Sequence, residues 1–190
     1  MKIVLASASP RRRELLQMLG LSGFSVIPAQ SGEADCRGLS PEDAVTALSR
    51  AKAAEVAADC APDDIIIAAD TIVWHEGEIL GKPDNEAGAA KMLGRLSGCR
   101  HEVYTGICII SGGTQLCEFE KTSVLFREIA PREIAKYVAT GEPLDKAGAY
   151  GAQGLGSLFV ERIDGDFFNV MGLPLCRLGK MLGSFGVSIL

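Results

Sequence analysis

Histidine is scarce in this 190-residue chain, which has only two, and none of its six cysteines form a CxxC pair. A structural zinc site needs four such ligands at close spacing, so none is expected. Cys36, Cys60, Cys99, Cys108, Cys117 and Cys176 are too thinly spread for a disulfide framework and read as reduced, mostly buried thiols. Cationic excess is lacking as well. The 19 Lys and Arg against 24 Asp and Glu leave a formal net charge of −5, which excludes the condensed positive field that polymeric nucleic acid or an acidic membrane requires. A small anionic substrate is still allowed, because a few local cations suffice for one. Long apolar runs are missing. The first, from Ile3 to Ala6, follows one charge at Lys2, stops at Ser7 and is soon followed by Arg11-Arg12-Arg13, too short for a signal peptide or a membrane span. A cytoplasmic protein is the expectation. Several catalytic signatures are absent too: there is no GxxxxGK[ST], no HExxH and no GxSxG. Gly151, Gly154 and Gly156 stand in the order GxxGxG, the reverse of the dinucleotide fingerprint.

What is present is an ordinary globular composition, 47% hydrophobic and 23% charged. The length suits one domain over 1–190, or one domain folded as two lobes. Helix and strand signals alternate along the whole chain. Ile3 to Ala6 reads as a buried strand, and Ser9-Pro10 as the start of a helix carrying Leu15, Leu16 and Leu19 to a stop at Gly20. Ser40-Pro41-Glu42-Asp43 opens a helix to about Asp59, with Ala44, Val45, Leu48, Ala51 and Glu55 on one stripe. Ile65 to Ala69 lacks alternation, so it predicts a central strand covered on both faces, ending at Asp70-Thr71. A hairpin from Ile72 to Leu80 turns at Gly77, with His75 on its surface. A helix follows from Asn85 to Leu96, then two long strands joined at Gly112-Gly113. Further on come a helix from Pro131, a glycine-rich loop from Gly148 to Gly156, a strand from Leu158 to Ile163 and a last helix from Gly172 to Leu182. The fold class is α/β with a mixed sheet.

A few residues carry chemical promise. Ser7-Ala8-Ser9-Pro10-Arg11-Arg12-Arg13 lies where a strand gives way to a helix, and free N–H groups, hydroxyls and guanidiniums there suit a phosphate. The plain alternative is a Ser9 cap with solvated arginines. Lys52 falls on the apolar stripe of its helix, so it either snorkels at the edge or reaches into a polar cleft. Asp70 follows five apolar residues at the expected carboxyl end of a central strand. It could hold a divalent cation, take a proton from water, or close the strand as an Asx-turn. Thr71 could support the first two roles. Glu33 and Asp35, in a glycine-containing loop, could add hard oxygen ligands. Gly81-Lys82-Pro83 sets a cation in a rigid turn. His101 reads as a polar residue near a strand start. Gln153, among glycines, offers the donor and acceptors that base reading needs. Asp166 and Asn169 read as organisers of a helix start.

Taken together these pieces resemble the Maf family of nucleoside triphosphate pyrophosphatases. The matching segments are LASASPRRRELL (from Leu5), RAKA (from Arg50), AADTIV (from Ala68), LGKP (from Leu80), LSGCRHEVYTG (from Leu96), GEPLDKAGAYGAQG (from Gly141) and GDFFNVMGLPL (from Gly165). The resemblance implies a two-lobed fold like that of inosine triphosphate pyrophosphatases, with the active cleft between the lobes. It implies hydrolysis of a nucleoside triphosphate to monophosphate and pyrophosphate, dependent on magnesium, manganese or a similar divalent ion. It makes Asp70 the proton acceptor, with Glu33 beside it toward the metal, and places Ser7, Arg11, Arg12, Lys52 and Lys82 on the phosphates. Arg11, Thr71 and Gln153 fall on the specificity positions of the subfamily acting on dTTP and UTP. Ala152 replaces a bulkier aliphatic residue, which would loosen the base pocket. Kindred alternatives are a 7-methyl-GTP pyrophosphatase and a non-enzymatic cell-division regulator acting by protein contacts. A homodimer is the family expectation, to which the apolar tail from Phe185 to Leu190 lends slight support.

Overall fold

The computed structural model describes residues 1–30, 36 and 38–190. Two compact units emerge: residues 1–70, 105–120 and 172–190 in the first, residues 71–104 and 121–171 in the second. The strands form one mixed sheet in the order β2 (Ser25–Val26), β1 (Ile3–Leu5), β3 (Ile65–His75), β5 (Arg100–Ser111), β6 (Thr114–Phe126), β7 (Val160–Asp164), with β4 (Glu78–Leu80) pairing β3. The α/β expectation therefore holds.

In the first unit, β1 (Ile3–Leu5) pairs in parallel with β2 (Ser25–Val26) and with the opening of β3 (Ile65–His75), placing Ile3 opposite Ile65. Ile65 to Ala69 are all buried, as an apolar run without alternation demands. Helix α1 (Pro10–Met18) starts at Pro10 and buries Leu15 and Leu16. The chain leaves it through Gly20 at φ 76°, a left-handed conformation that glycine adopts without strain. Ser9 holds the capping position, but its side chain makes no capping bond. Helix α2 (Pro41–Ala57) is capped as its sequence requires: Ser40 Oγ accepts from Asp43 N at 3.1 Å. Its buried stripe runs through Ala44, Val45, Leu48, Ser49, Ala53 and Val56. Ala51 is exposed instead.

β3 does not end at Asp70. It continues through Thr71 to His75, turns at Glu76-Gly77, and pairs antiparallel with β4 (Glu78–Leu80), Val73 opposite Leu80. Asp70 is therefore an interior strand residue rather than an Asx-turn, because the pairing with β4 carries the extended backbone onward. The second unit continues with α3 (Glu86–Leu96), capped by Asn85, and the long strands β5 (Arg100–Ser111) and β6 (Thr114–Phe126). Helix α4 (Pro131–Val138) and strand β7 (Val160–Asp164), antiparallel to β6, follow. Tight helical turns over 142–145, 147–149 and 155–159 occupy the glycine-rich region. A short α5 (Phe167–Met171) starts where Asp166 Oδ1 accepts from Phe168 N at 2.7 Å. Helix α6 (Leu175–Ser184) belongs to the first unit, with Pro174 just before it. Among the described residues no helix is long and apolar enough to cross a membrane.

The cysteines are all free thiols, but only Cys108 is buried and Cys176 is exposed, so the expectation of mostly buried thiols fails. Burial, and then the neighbouring Cys117, push the Cys108 thiol well above its ordinary pKa, which leaves it a packing group.

Gly106, on β5, lies against the backbone of α2. A Cβ there would collide with the Val45 carbonyl and come within 3.0 Å of Ser49 Oγ. Since backbone must shift to make room, Gly106→Ala is expected to cost at least about 2 kcal/mol. For a chain of this size that lowers the thermal midpoint by roughly 4–8 °C. A melting curve unchanged from wild type would show that α2 does not pack this closely on β5.

Candidate active site

The first unit gathers Ser7, Arg12, Lys52 and Asp70. β1 ends at Leu5, and the chain is held to β3 for one more residue by Ala6 N to Ile67 O at 2.8 Å. Ser7 is buried just beyond. Its Oγ accepts from Ser9 N and from Arg12 Nη1, both at 3.2 Å. Arg12 Nε donates to the carbonyl of Gly172 at 2.8 Å. A hydroxyl and a carbonyl thus fix the guanidinium from two directions. Burial pulls the Arg12 pKa below its ordinary value, Asp70 pushes it back up, and Arg11 lowers it further. Arg12 therefore feels both Asp70 and Arg11. Arg13 is exposed.

Lys52 reaches from α2 to Asp70 and forms a hydrogen-bonded ion pair with its Oδ1. The lysine does not snorkel. The side chains are 25% and 14% exposed respectively, so the pair is shielded yet open to a ligand. A carboxylate after an apolar run needs a partner, and Lys52 is that partner.

The second unit holds Thr71, Lys82 and Gln153. Thr71 is half-buried on β3, while Lys82 and Gln153 are exposed. The GKP turn and the glycine-rich loop are joined, since Gly148 N donates to Gly81 O at 3.0 Å. A Cβ on Gly148 would strike the Val73 side chain at 2.8 Å, so only glycine lets the loop start this close to β3. Ala152 belongs to the hydrophobic core of this unit. Its small size bears on the packing of that core.

Both histidines are interior, which corrects the surface placement of His75. Its Nδ1 lies 3.2 Å from the Arg100 carbonyl. His101 is 1% exposed, its Nε2 is 2.8 Å from Tyr150 Oη, and its ring meets Phe126 and Tyr150 edge-on. Burial, with His75 adding to it, lowers the His101 pKa from 6.5 to about 3. Between these values the unfolded chain binds a proton that the folded chain refuses. Stability contributed here is present above pH 6.5 and is lost as pH falls toward 3, with a slope of up to ~1.4 kcal/mol per pH unit. Urea unfolding between pH 7.5 and 5 should show this slope, and His101→Gln should flatten it. Equal slopes in the two proteins would mean that the imidazole is not buried neutral. Asn169, also buried, donates to Val103 O and Thr122 Oγ1 at 3.0 and 2.9 Å. It ties β5 and β6 to α5, while Asp166 starts that helix.

Glu33 and Asp35 lie outside the described residues. Among the described residues no three His, Cys, Asp or Glu side chains cluster to hold a metal. Asp70 is the carboxylate of the first unit's cluster, its Oδ1 paired with Lys52; a magnesium shell needs only one or two carboxylates when substrate phosphates and water complete it.

The Maf-like protein family model matches residues 2–185. The chain belongs to this family. It is 52% identical over 190 residues to the dTTP/UTP pyrophosphatase of Moorella thermoacetica, covering 99% of this chain and 97% of that one. It is 48% identical over 188 residues to the dTTP/UTP pyrophosphatase of Bacillus cereus strain AH820, with 99% and 97% covered. Among solved structures it is similar to the nucleoside-triphosphatase / dITP/XTP pyrophosphatase of Mycobacterium abscessus, at 15% identity, TM-score 0.44 and 97% of both chains covered, a likeness too weak to bear on the site. In this Maf-like chain the Gly172 carbonyl that holds Arg12 escaped the reading from sequence. The turn Gly172-Leu173-Pro174 after α5 was its one visible signal.

Proposed function

We propose that this Maf-like protein is a cytoplasmic, divalent-metal-dependent hydrolase that cleaves dTTP and UTP between the α- and β-phosphorus, releasing dTMP or UMP and pyrophosphate. The observation that carries the reading is the Asp70 carboxylate gripped by Lys52 and facing the field of Arg12. A base and the cations that a triphosphate needs thus belong to one cluster. Asp70 orients an attacking water and takes its proton. Arg12, held by Ser7 and Gly172, and Lys52 spread positive charge over the phosphates and the leaving pyrophosphate. Phosphoryl transfer of this kind rests on positioning and electrostatics. Arg11 and Lys82 add charge. A magnesium or manganese ion held by Asp70, with Glu33 as a second ligand, would lower the pKa of a bound water and offset phosphate charge.

Base choice falls to Gln153, Thr71 and Arg11. The Gln153 amide offers both a donor and an acceptor, which suits the pairing edge of uracil or thymine. A methyl group at carbon 5 is peripheral to that edge, so dTTP and UTP are taken alike and pyrimidines modified there are accepted. The two pyrophosphatases cited above, at 48–52% identity, support this preference.

The test is a panel of dTTP, UTP, CTP, GTP and 7-methyl-GTP with magnesium, the products resolved by ion chromatography. Monophosphate and pyrophosphate from dTTP and UTP are expected. Orthophosphate as a first product would overturn the cleavage position, and a preference for 7-methyl-GTP would overturn the base assignment. No turnover of any nucleotide would leave the protein-binding alternative.

A further inference from the structure

The loop that carries Gln153 is fastened by a carboxylate that the proposed chemistry does not use. Glu142 follows Gly141, whose φ of 75° turns the chain after α4. Its Oε1 accepts from Tyr137 Oη at 2.9 Å and from Gly156 N at 3.2 Å, and its Oε2 accepts from Leu155 N at 3.1 Å. Tyr137 Oη in turn accepts from Gly151 N at 3.1 Å. One Tyr–Glu pair thereby holds the stretch 151–156 at its entry and at its exit. Gln153 is exposed between the two anchor points.

The glycines of this stretch answer to the same pair. A Cβ on Gly154 would lie 3.1 Å from both carboxylate oxygens of Glu142, and one on Gly156 would lie 2.7 Å from Tyr137 Oη. Gly154 has φ 92° and ψ −152°, a region open essentially to glycine alone. The GxxGxG order, which matches no dinucleotide motif, is what allows backbone to close on the clamp. The chemistry of the anchor is equally specific. Two backbone N–H groups and a hydroxyl all donate to it, and an ionised carboxylate is the side chain that accepts on both oxygens and donates on neither. A glutamine there would turn an NH2 group toward a donor.

We infer that Glu142, with Tyr137, is a positioning residue for base discrimination: it fixes the 151–156 loop so that Gln153 presents its amide in one orientation. The inference rests on the assignment of Gln153 to the base. Polar selectivity depends on such fixed placement, and a displacement of about 1 Å can cost on the order of a hundredfold in rate. Glu142→Gln is therefore expected to lower kcat/KM for dTTP and UTP by roughly tenfold, with CTP and GTP changed by less than about twofold. Glu142→Asp, which keeps the acceptors on a shorter stem, should recover part of the loss.

The experiment measures kcat/KM across the nucleotide panel for wild type, Glu142→Gln, Gln153→Ala and the double variant. Glu133→Gln breaks the Arg127–Glu133 ion pair elsewhere in the same unit and serves as the control for lost structure. Where Glu142→Gln fails to fold, Tyr137→Phe removes the same hydroxyl link while keeping the ring against Phe159. Support is a loss of discrimination in Glu142→Gln that is not deepened in the Gln153→Ala background, with ratios intact in Glu133→Gln. A uniform loss for all nucleotides, or additive losses in the double variant, would overturn the inference. Intact ratios in Glu142→Gln with collapsed ratios in Gln153→Ala would overturn it and leave the Gln153 assignment standing. Intact ratios in Gln153→Ala would remove that assignment first.

Discussion

Asp70→Asn is expected to lower kcat on dTTP by about 10²–10⁴, the usual cost of removing a general base. Asparagine keeps the size and much of the hydrogen bonding but cannot take a proton from water as a carboxylate does. The effect on stability has a definite sign. From sequence, Asp70 looks like an unpaired carboxylate after an apolar run, and its neutralisation would leave stability unchanged or raised. The ion pair with Lys52 reverses that. Neutral asparagine leaves Lys52 without its counter-ion and removes the charge that supports Arg12. For a shielded but partly exposed pair the loss is about 1–3 kcal/mol. The variant should therefore fold, melt a few degrees early, and be almost inactive at saturating magnesium. A purely structural Asp70 would show the lower midpoint with near-normal turnover. A folded, metal-saturated Asp70→Asn protein keeping more than about a tenth of wild-type kcat would defeat the general-base role.

Lys52→Met comes second in expected size. Methionine keeps the helix propensity and the apolar stem of the lysine while removing its charge. Two things are lost at once: the cation proposed for the phosphates, and the hydrogen bond that fixes the Asp70 carboxylate. A fall in kcat/KM for UTP of at least about tenfold is expected, corresponding to a loss of ~1.4 kcal/mol or more of transition-state stabilisation. Circular dichroism should show α2 intact, since the cap at Ser40 and the buried face of the helix are untouched. Wild-type kcat/KM in this variant would reduce the ion pair to a packing detail.

Local chemistry in the sequence determined much of this protein. Ser40-Pro41 and Asn85 fixed two helix starts, because a capping side chain acts within three residues of its own position. The unbroken apolar run Ile65 to Ala69 required a strand covered on both faces, and Gly77 required a hairpin turn. The candidate residues were legible one by one, since each is a polar group set against an apolar pattern. Their partnerships were decided by the tertiary structure alone. Lys52 and Asp70 are 18 positions apart, and only the packing of α2 on the sheet chooses between a snorkelling lysine and an ion pair. Arg12 is held by a carbonyl 160 residues away. His75 is interior because β3 runs past Asp70 to pair with β4. Glu142 is brought to the N–H groups of Leu155 and Gly156, 13 and 14 positions on, by the fold alone. The division has a physical reason: backbone propensity and capping act over a few residues, whereas desolvation, ion pairing and close backbone approach depend on which segments folding brings side by side.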